Sequence, residues 1–265
     1  MSTSSTPPEH STPSTPQHHH PVEDIFPGHR YGIVPALDLP TSAAVRDVVA
    51  ATTGVDGVVA YKLGHSTVLE LGLRGAVDLI RQASDLPIIY DHQKAGLDVP
   101  SNARHFADLL AGTGVAGAII FPLAGPQTAR EYLSRLRERG IVPLVGGLLP
   151  IDDYTISTGG WVADDVLPEI TRLALAHGET NIIAPATDAL NTVIAAAADA
   201  GISPTLFVPG IGAGGTGLDR LGDVVDQVSG IFPIVGRAIV TAADPAQAAT
   251  DLAAALTTVV AGAPR

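Results

Sequence analysis

Eight short apolar runs, separated by Ala- and Leu-rich stretches of helical period, constrain the fold of this chain more than any other feature. They read YGIVPALDL, GVVAYKLG, LPIIYD, VAGAIIFPL, IVPLVGG, NIIAPA, TLFVPGIG and FPIVGRAI. The intervening periodicity predicts helices over Ser42 to Ala51, Thr67 to Ala83, Asn102 to Ala111, Pro126 to Arg139 and Pro168 to His177. Three more are expected near Asp188 to Ala200, Leu218 to Val228 and Pro245 to Val260. Strands that are continuously apolar, rather than alternating, have both faces covered, as in a parallel sheet between helices. Eight such strand–helix units predict an α/β chain folded as a (β/α)8 TIM barrel. An open doubly wound sheet is the alternative, but it usually carries a Gly-rich turn after its first strand. Here that position reads ALDLPTS.

Residues 1–24 are almost entirely Ser, Thr, Pro, Gln and His, with no apolar run to bury. They predict a disordered tail, with one barrel domain over residues 25–265. The QHHHP stretch within the tail is read as part of a solvated segment rather than a metal site. Neither a secretory signal pattern nor a run of membrane-spanning length is present, so a cytoplasmic protein without a membrane partner is expected. The absence of cysteine rules out disulfides, thiolate nucleophiles and cysteine-ligated metals. A formal net charge of -12 argues against nucleic acid as a partner, since phosphate backbones need a basic surface. A small anionic ligand remains compatible if one pocket supplies local positive charge.

Barrel enzymes work at the C-terminal ends of their strands, and those ends carry the chain's unusual polar residues. Asp38 follows the first strand, Lys62 lies in the second, and Asp91, Lys94 and Asp98 crowd the end of the third in IIYDHQKAGLDVP. Charges at the end of a buried strand are solvated, paired, or held in place for chemistry. Asp38 is also placed to cap the following helix, so its role is open between a cap and a ligand contact. The seventh and eighth strands end in VPGIGAGGTG and PIVGRAI. Gly212, Gly214, Gly215 and Gly236 allow backbone N–H groups to approach phosphate oxygens, and Arg237 can add a bidentate contact.

Taken in order, ALDL, YKLG, DHQKAGLDVPSN, VPGIGAGG and IVGRAI resemble the orotidine 5′-monophosphate decarboxylases, a (β/α)8 family, over about Gly32 to Val260. The resemblance implies a Lys–Asp–Lys–Asp array of Lys62, Asp91, Lys94 and Asp98, the last reaching in from the partner subunit of a homodimer with shared active sites. It implies a small-molecule nucleotide substrate, no cofactor, and conversion of orotidine 5′-monophosphate to uridine 5′-monophosphate in pyrimidine biosynthesis. Asp91 would lie beside the substrate carboxylate, and Lys94 would stabilise and then protonate the carbanion. Asp38, Asn102, Gly212, Gly214, Gly215, Gly236 and Arg237 are expected to bind substrate.

The chain departs from the family pattern at three places. The third-strand motif is longer than Asp-x-Lys-x-x-Asp by one residue on each side of its lysine. Gly214 stands where many members have a glutamine, and Leu148 or Leu149 where a serine or threonine reads the base. Thr155 and Ser157, with Thr158 beside them, are the candidate base readers from the longer fifth loop. Two rival readings follow. One is a metal-dependent sugar-phosphate aldolase or synthase, in which a glutamate ligand would occupy the place of Lys62. The other is a catalytically silent nucleotide-binding barrel.

Overall fold

The computed structural model describes residues 25–93 and 96–262. The Ser/Thr/Pro/His-rich segment expected as a tail and the candidate proton donor Lys94 lie outside the described residues. Eight parallel strands close into a barrel: β1 (Val34–Leu37), β2 (Tyr61–Leu63), β3 (Ile88–Asp91), β4 (Gly117–Ile120), β5 (Val142–Val145), β6 (Asn181–Ile183), β7 (Thr205–Pro209) and β8 (Gly230–Val235). Each pairs with the next in sequence, and β8 returns to β1. This is the (β/α)8 architecture that the eight apolar runs predict.

Alternation along each strand splits the buried side chains into two sets. Ala36, Ile89, Ile119, Leu144, Ile183, Phe207, Phe232 and Ile234 fill the barrel interior, whereas Leu37, Tyr61, Leu63, Ile88, Ala118 and Ile120 face the surrounding helices. Ile25 and Phe26, ahead of β1, belong to the interior set. The Phe26 ring centroid lies 4.5 Å from that of Phe232 and 5.9 Å from that of Phe207. A Cβ on Gly117, the first residue of β4, would lie 3.1 Å from the Ile25 side chain. The chain thus plugs the barrel at the end where its strands begin, with each large buried apolar side chain worth roughly 1.5–3 kcal/mol. The opposite mouth is where the polar strand ends converge.

Two predicted helices differ in the structure. The stretch from Thr67 to Ala83 is broken into His65–Leu71 and Leu73–Arg81 by Gly72, which takes φ 67° and ends the first helix. The expected Leu218 to Val228 helix is reduced to one turn, Asp219–Gly222, followed by a 3-10 turn at Val225–Gln227. The remaining predicted helices match to within a few residues: Ser42–Thr52, Asn102–Ala111, Pro126–Glu138, Val166–Ala176, Ala189–Asp199 and Pro245–Gly262.

Candidate active site

Strand register decides which way the site residues point. Lys62 pairs with Ala36 of β1 and Ile89 of β3, both interior residues, so its side chain points into the barrel. Asp91 lies two residues beyond Ile89 and pairs with the interior Ile119, which sends it to the same face nearer the mouth. There the Lys62 Nζ donates to Asp91 Oδ2 at 2.5 Å, with the two side chains only 11% and 13% exposed. Asp91 Oδ1 is buried and has no hydrogen-bond partner among the described residues. A carboxylate oxygen left so costs about 1–3 kcal/mol, which marks a place where another donor is wanted.

Breaking this pair should be costly, because the residue left behind stays buried and uncompensated. Lys62→Met is expected to lower unfolding stability by about 3 kcal/mol. The double change Lys62→Met with Asp91→Leu should recover most of that loss. Denaturant titration of the three proteins checks both expectations, and an equal loss in the single and double variants would contradict the pairing.

Asp38 does not cap the helix that follows it; Thr41 does, accepting from the Ala44 N–H at 3.2 Å. The Asp38 Oδ1 instead accepts from the Ser66 N–H at 2.6 Å, at the start of the helix after β2. Gly64 makes room for this crossing, since a Cβ there would lie 2.7 Å from the Asp38 carboxyl carbon. The contact ties the β1 loop to the β2 loop directly above Lys62.

Asp98 is exposed, and no ion pair or hydrogen bond among the described residues joins it to Lys62. Its carboxylate accepts from the Asn102 side-chain amide at 2.6 Å and from the Val99 N–H at 2.7 Å. These two donors, the Asn102 amide first, hold the carboxyl below the usual carboxylate range. Leu97 and Val99, on either side, are half exposed. The structure therefore brings Asp98 and Asn102 together, and Asp98 lines a cavity of about 430 Å³ between the β3 and β4 loops.

After β7, the backbone turns through Ala213–Gly215, where Gly214 and Gly215 take φ 68° and 82°, a region open to glycine and strained for other residues. The one-turn helix Arg237–Val240 packs against this turn, and Gly214 and Ala238 line one cavity. Gly236 precedes that helix, and the exposed Arg237 guanidinium has no side-chain partner among the described residues. The two Gly-rich strand ends are thus side by side, as a phosphate cradle requires.

The fifth loop is self-contained. Ser157 Oγ donates to Asp164 at 2.5 Å, and the Thr155 and Thr158 hydroxyls lie 3.3 Å apart. No hydrogen bond among the described residues joins them to the Lys62–Asp91 pair. Leu149, at the start of this loop, packs on the interior set, and Leu148 on the outer one.

The family model described as "Orotidine 5'-phosphate decarboxylase / HUMPS family" matches residues 32–252, nearly the whole barrel. The chain belongs to this family. Orotidine 5′-phosphate decarboxylase of Afipia carboxidovorans is 29% identical over 234 residues, covering 85% of this chain and 94% of that protein. The enzyme of the same name from Methanosarcina barkeri is 28% identical over 197 residues, or 74% and 81% of the two chains. The orotidine 5′-monophosphate decarboxylase of Methanocaldococcus jannaschii, solved with the inhibitor BMP, superposes with a TM-score of 0.69 at 20% identity, covering 86% of this chain and 99% of that one. The Pyrococcus horikoshii enzyme gives 0.65 at 21% identity, covering 87% and 99%.

Within this member of the orotidine 5′-phosphate decarboxylase / HUMPS family, one further signal was open to view. Lys62 and Lys94 are its only two lysines, against thirteen arginines. Lys62 lies in β2, and Lys94 falls in the sequence that follows β3. Lysine, unlike arginine, can give up a proton near neutral pH when its surroundings demand it.

Proposed function

We propose that this protein decarboxylates orotidine 5′-monophosphate to uridine 5′-monophosphate without a cofactor. The observation that carries the reading is the Lys62–Asp91 ion pair, 2.5 Å long and sunk in the barrel mouth of a chain that belongs to this family. In this reading the substrate carboxylate lies against Asp91, and like-charge repulsion between them is relieved as carbon dioxide forms. The bond between C6 of the pyrimidine and its carboxylate breaks, and its electron pair stays on C6. The Lys94 ammonium stabilises that pair and then gives C6 a proton; the neutral amine recovers one from solvent. Lys62 and the partner subunit's copy of Asp98 hold the central charges ionised and oriented.

Magnitudes require the whole array. Two unit charges 4 Å apart interact by about 1 kcal/mol in water and about 4 kcal/mol at an effective dielectric near 20. Four kcal/mol is on the order of a thousandfold in rate, so one contact is too small and preorganisation in a water-excluded mouth must contribute. Phosphate held by Arg237 and the Gly212–Gly215 turn supplies binding energy remote from the reacting carbon. Thr155 and Ser157 are assigned to the base side, with Asp38 and Asn102 at the ribose and the rim.

Loss of the ultraviolet absorbance of orotidine 5′-monophosphate in chelator-treated buffer tests the reading. Turnover there supports it. Turnover of a sugar phosphate only with added divalent metal would favour the aldolase or synthase reading, which the Lys62 ammonium opposes. Nucleotide binding without turnover would identify a silent barrel. Arg237→Ala should weaken binding of the nucleotide by about 1.5–3 kcal/mol while leaving the free nucleoside nearly unaffected. Calorimetric titration of both ligands checks this, and equal losses would place the arginine away from the phosphate.

A further inference from the structure

In a continued strand, a residue three positions after Asp91 would fall on the outer face, away from the mouth. A motif with an additional residue therefore has to leave strand geometry at a defined point. The β3 ladder runs one residue past Asp91, where the His92 N–H donates to the Ile119 carbonyl at 3.2 Å, and Gln93 opens a turn. His92 faces outward with Tyr90. The Tyr90 hydroxyl and His92 Nδ1 are 2.7 Å apart, and their rings are 5.2 Å apart. The His92 ring is 5.2 Å from Phe106, and Phe106 is 5.6 Å from Tyr132, so three elements share one aromatic column.

The far end of the loop is pinned to the same neighbours. The Gly96 carbonyl accepts from the Ala124 N–H at 3.2 Å, beyond β4. Gly96 takes φ 90°, and a Cβ there would lie 2.6 Å from the Pro122 Cα. Burial first, and then the Asp98 carboxylate, push the hydroxyl of Tyr132 at the end of the column up, with the Gly96 backbone acting against them. Both ends of the residue 92–96 segment are thus held against β4 and its exit.

We propose that His92 is a positioning residue: by ending β3 one step past Asp91 and tying that end outward to Tyr90 and Phe106, it fixes Asp91 against Lys62 and sets where the longer loop begins. The kinetic part of its test rests on the decarboxylase reading; the structural part does not.

Three variants, His92→Ala, His92→Asn and Tyr90→Phe, are compared in steady-state decarboxylation and in protein carrying 15N-lysine. With two lysines in the chain, two side-chain ammonium signals are expected, and Lys94→Ala assigns them. His92→Ala should lower kcat on the order of a hundredfold, the effect of a misplaced reacting group, with KM nearly unchanged. It should also displace the Lys62 signal. Asn keeps a polar atom near the Nδ1 position, so His92→Asn should restore most of both. A folded His92→Ala protein with wild-type kcat or an unmoved Lys62 signal overturns the proposal. So does a folded His92→Asn protein as impaired as the Ala variant, which would reduce His92 to packing. If His92→Ala does not fold, Tyr90→Phe decides: loss of the hydroxyl alone must shift the Lys62 signal. If the wild type shows no turnover, the decarboxylase reading fails and the Lys62 signal alone judges His92.

Discussion

Lys94→Ala should lower decarboxylation of orotidine 5′-monophosphate on the order of ten-thousandfold, while the protein remains folded and still binds the product nucleotide. Two contributions disappear together. A positioned general acid is worth about 10²–10⁴ in rate, and a charge aimed at a developing anion about 10²–10³. They overlap in one ammonium, so they do not simply multiply. Lys94 lies outside the described residues, and its case rests on the motif DHQKAGLD and on its being one of only two lysines in the chain. Single-turnover kinetics with circular dichroism as the folding control is the decisive measurement. A variant that keeps near wild-type turnover would remove Lys94 from the chemistry.

The second large effect concerns sharing between subunits. If Asp98 is donated across a twofold interface, Lys94→Ala and Asp98→Ala homodimers should each be nearly inactive, because every site lacks one essential group. Mixing them changes the count. After unfolding and random reassociation of equal amounts, about half the dimers are mixed, and each has one site with both native residues and one with neither. Activity should then return to about a quarter of wild type. Asp98 is exposed, is held as a carboxylate by Asn102 and Val99, and is flanked by the half-exposed Leu97 and Val99. That suits a group presented outward. If differentially tagged chains exchange and the mixture stays as inactive as its parents, Asp98 does not act across an interface.

The barrel was legible because buried parallel strands write themselves as unbroken apolar runs, and Val34, Ile89, Ile119 and Phe207 occupy those runs as expected. The break at Gly72 was not, since the apolar period continues on both sides and glycine inside a helix costs only about 1 kcal/mol. In the site, the Lys62–Asp91 pair was foreshadowed by charges at adjacent strand ends. The Asp38 contact was hidden because its partner is a backbone N–H from another loop. Thr155 and Ser157 were named from the sequence, but their local contacts were not legible: their hydroxyls engage Thr158 and Asp164 nearby, in a loop with no periodicity to read. His92 escaped notice because its column draws on β3 and two helices. A composition clue existed: six of the eleven Phe, Tyr and Trp residues fall in two clusters, one plugging the barrel and one bracing the end of β3.

The plug of Ile25 and Phe26 also sets an orientation for handling the protein. The described fold begins with Ile25 and Phe26 on the floor of the barrel, while Lys62, Asp91 and Arg237 belong to its roof. A change confined to the floor would leave the mouth and its charged residues in place. An attachment that pulled Phe26 from between Phe207 and Phe232 would instead open the floor, and the barrel would loosen from beneath a site it never touched.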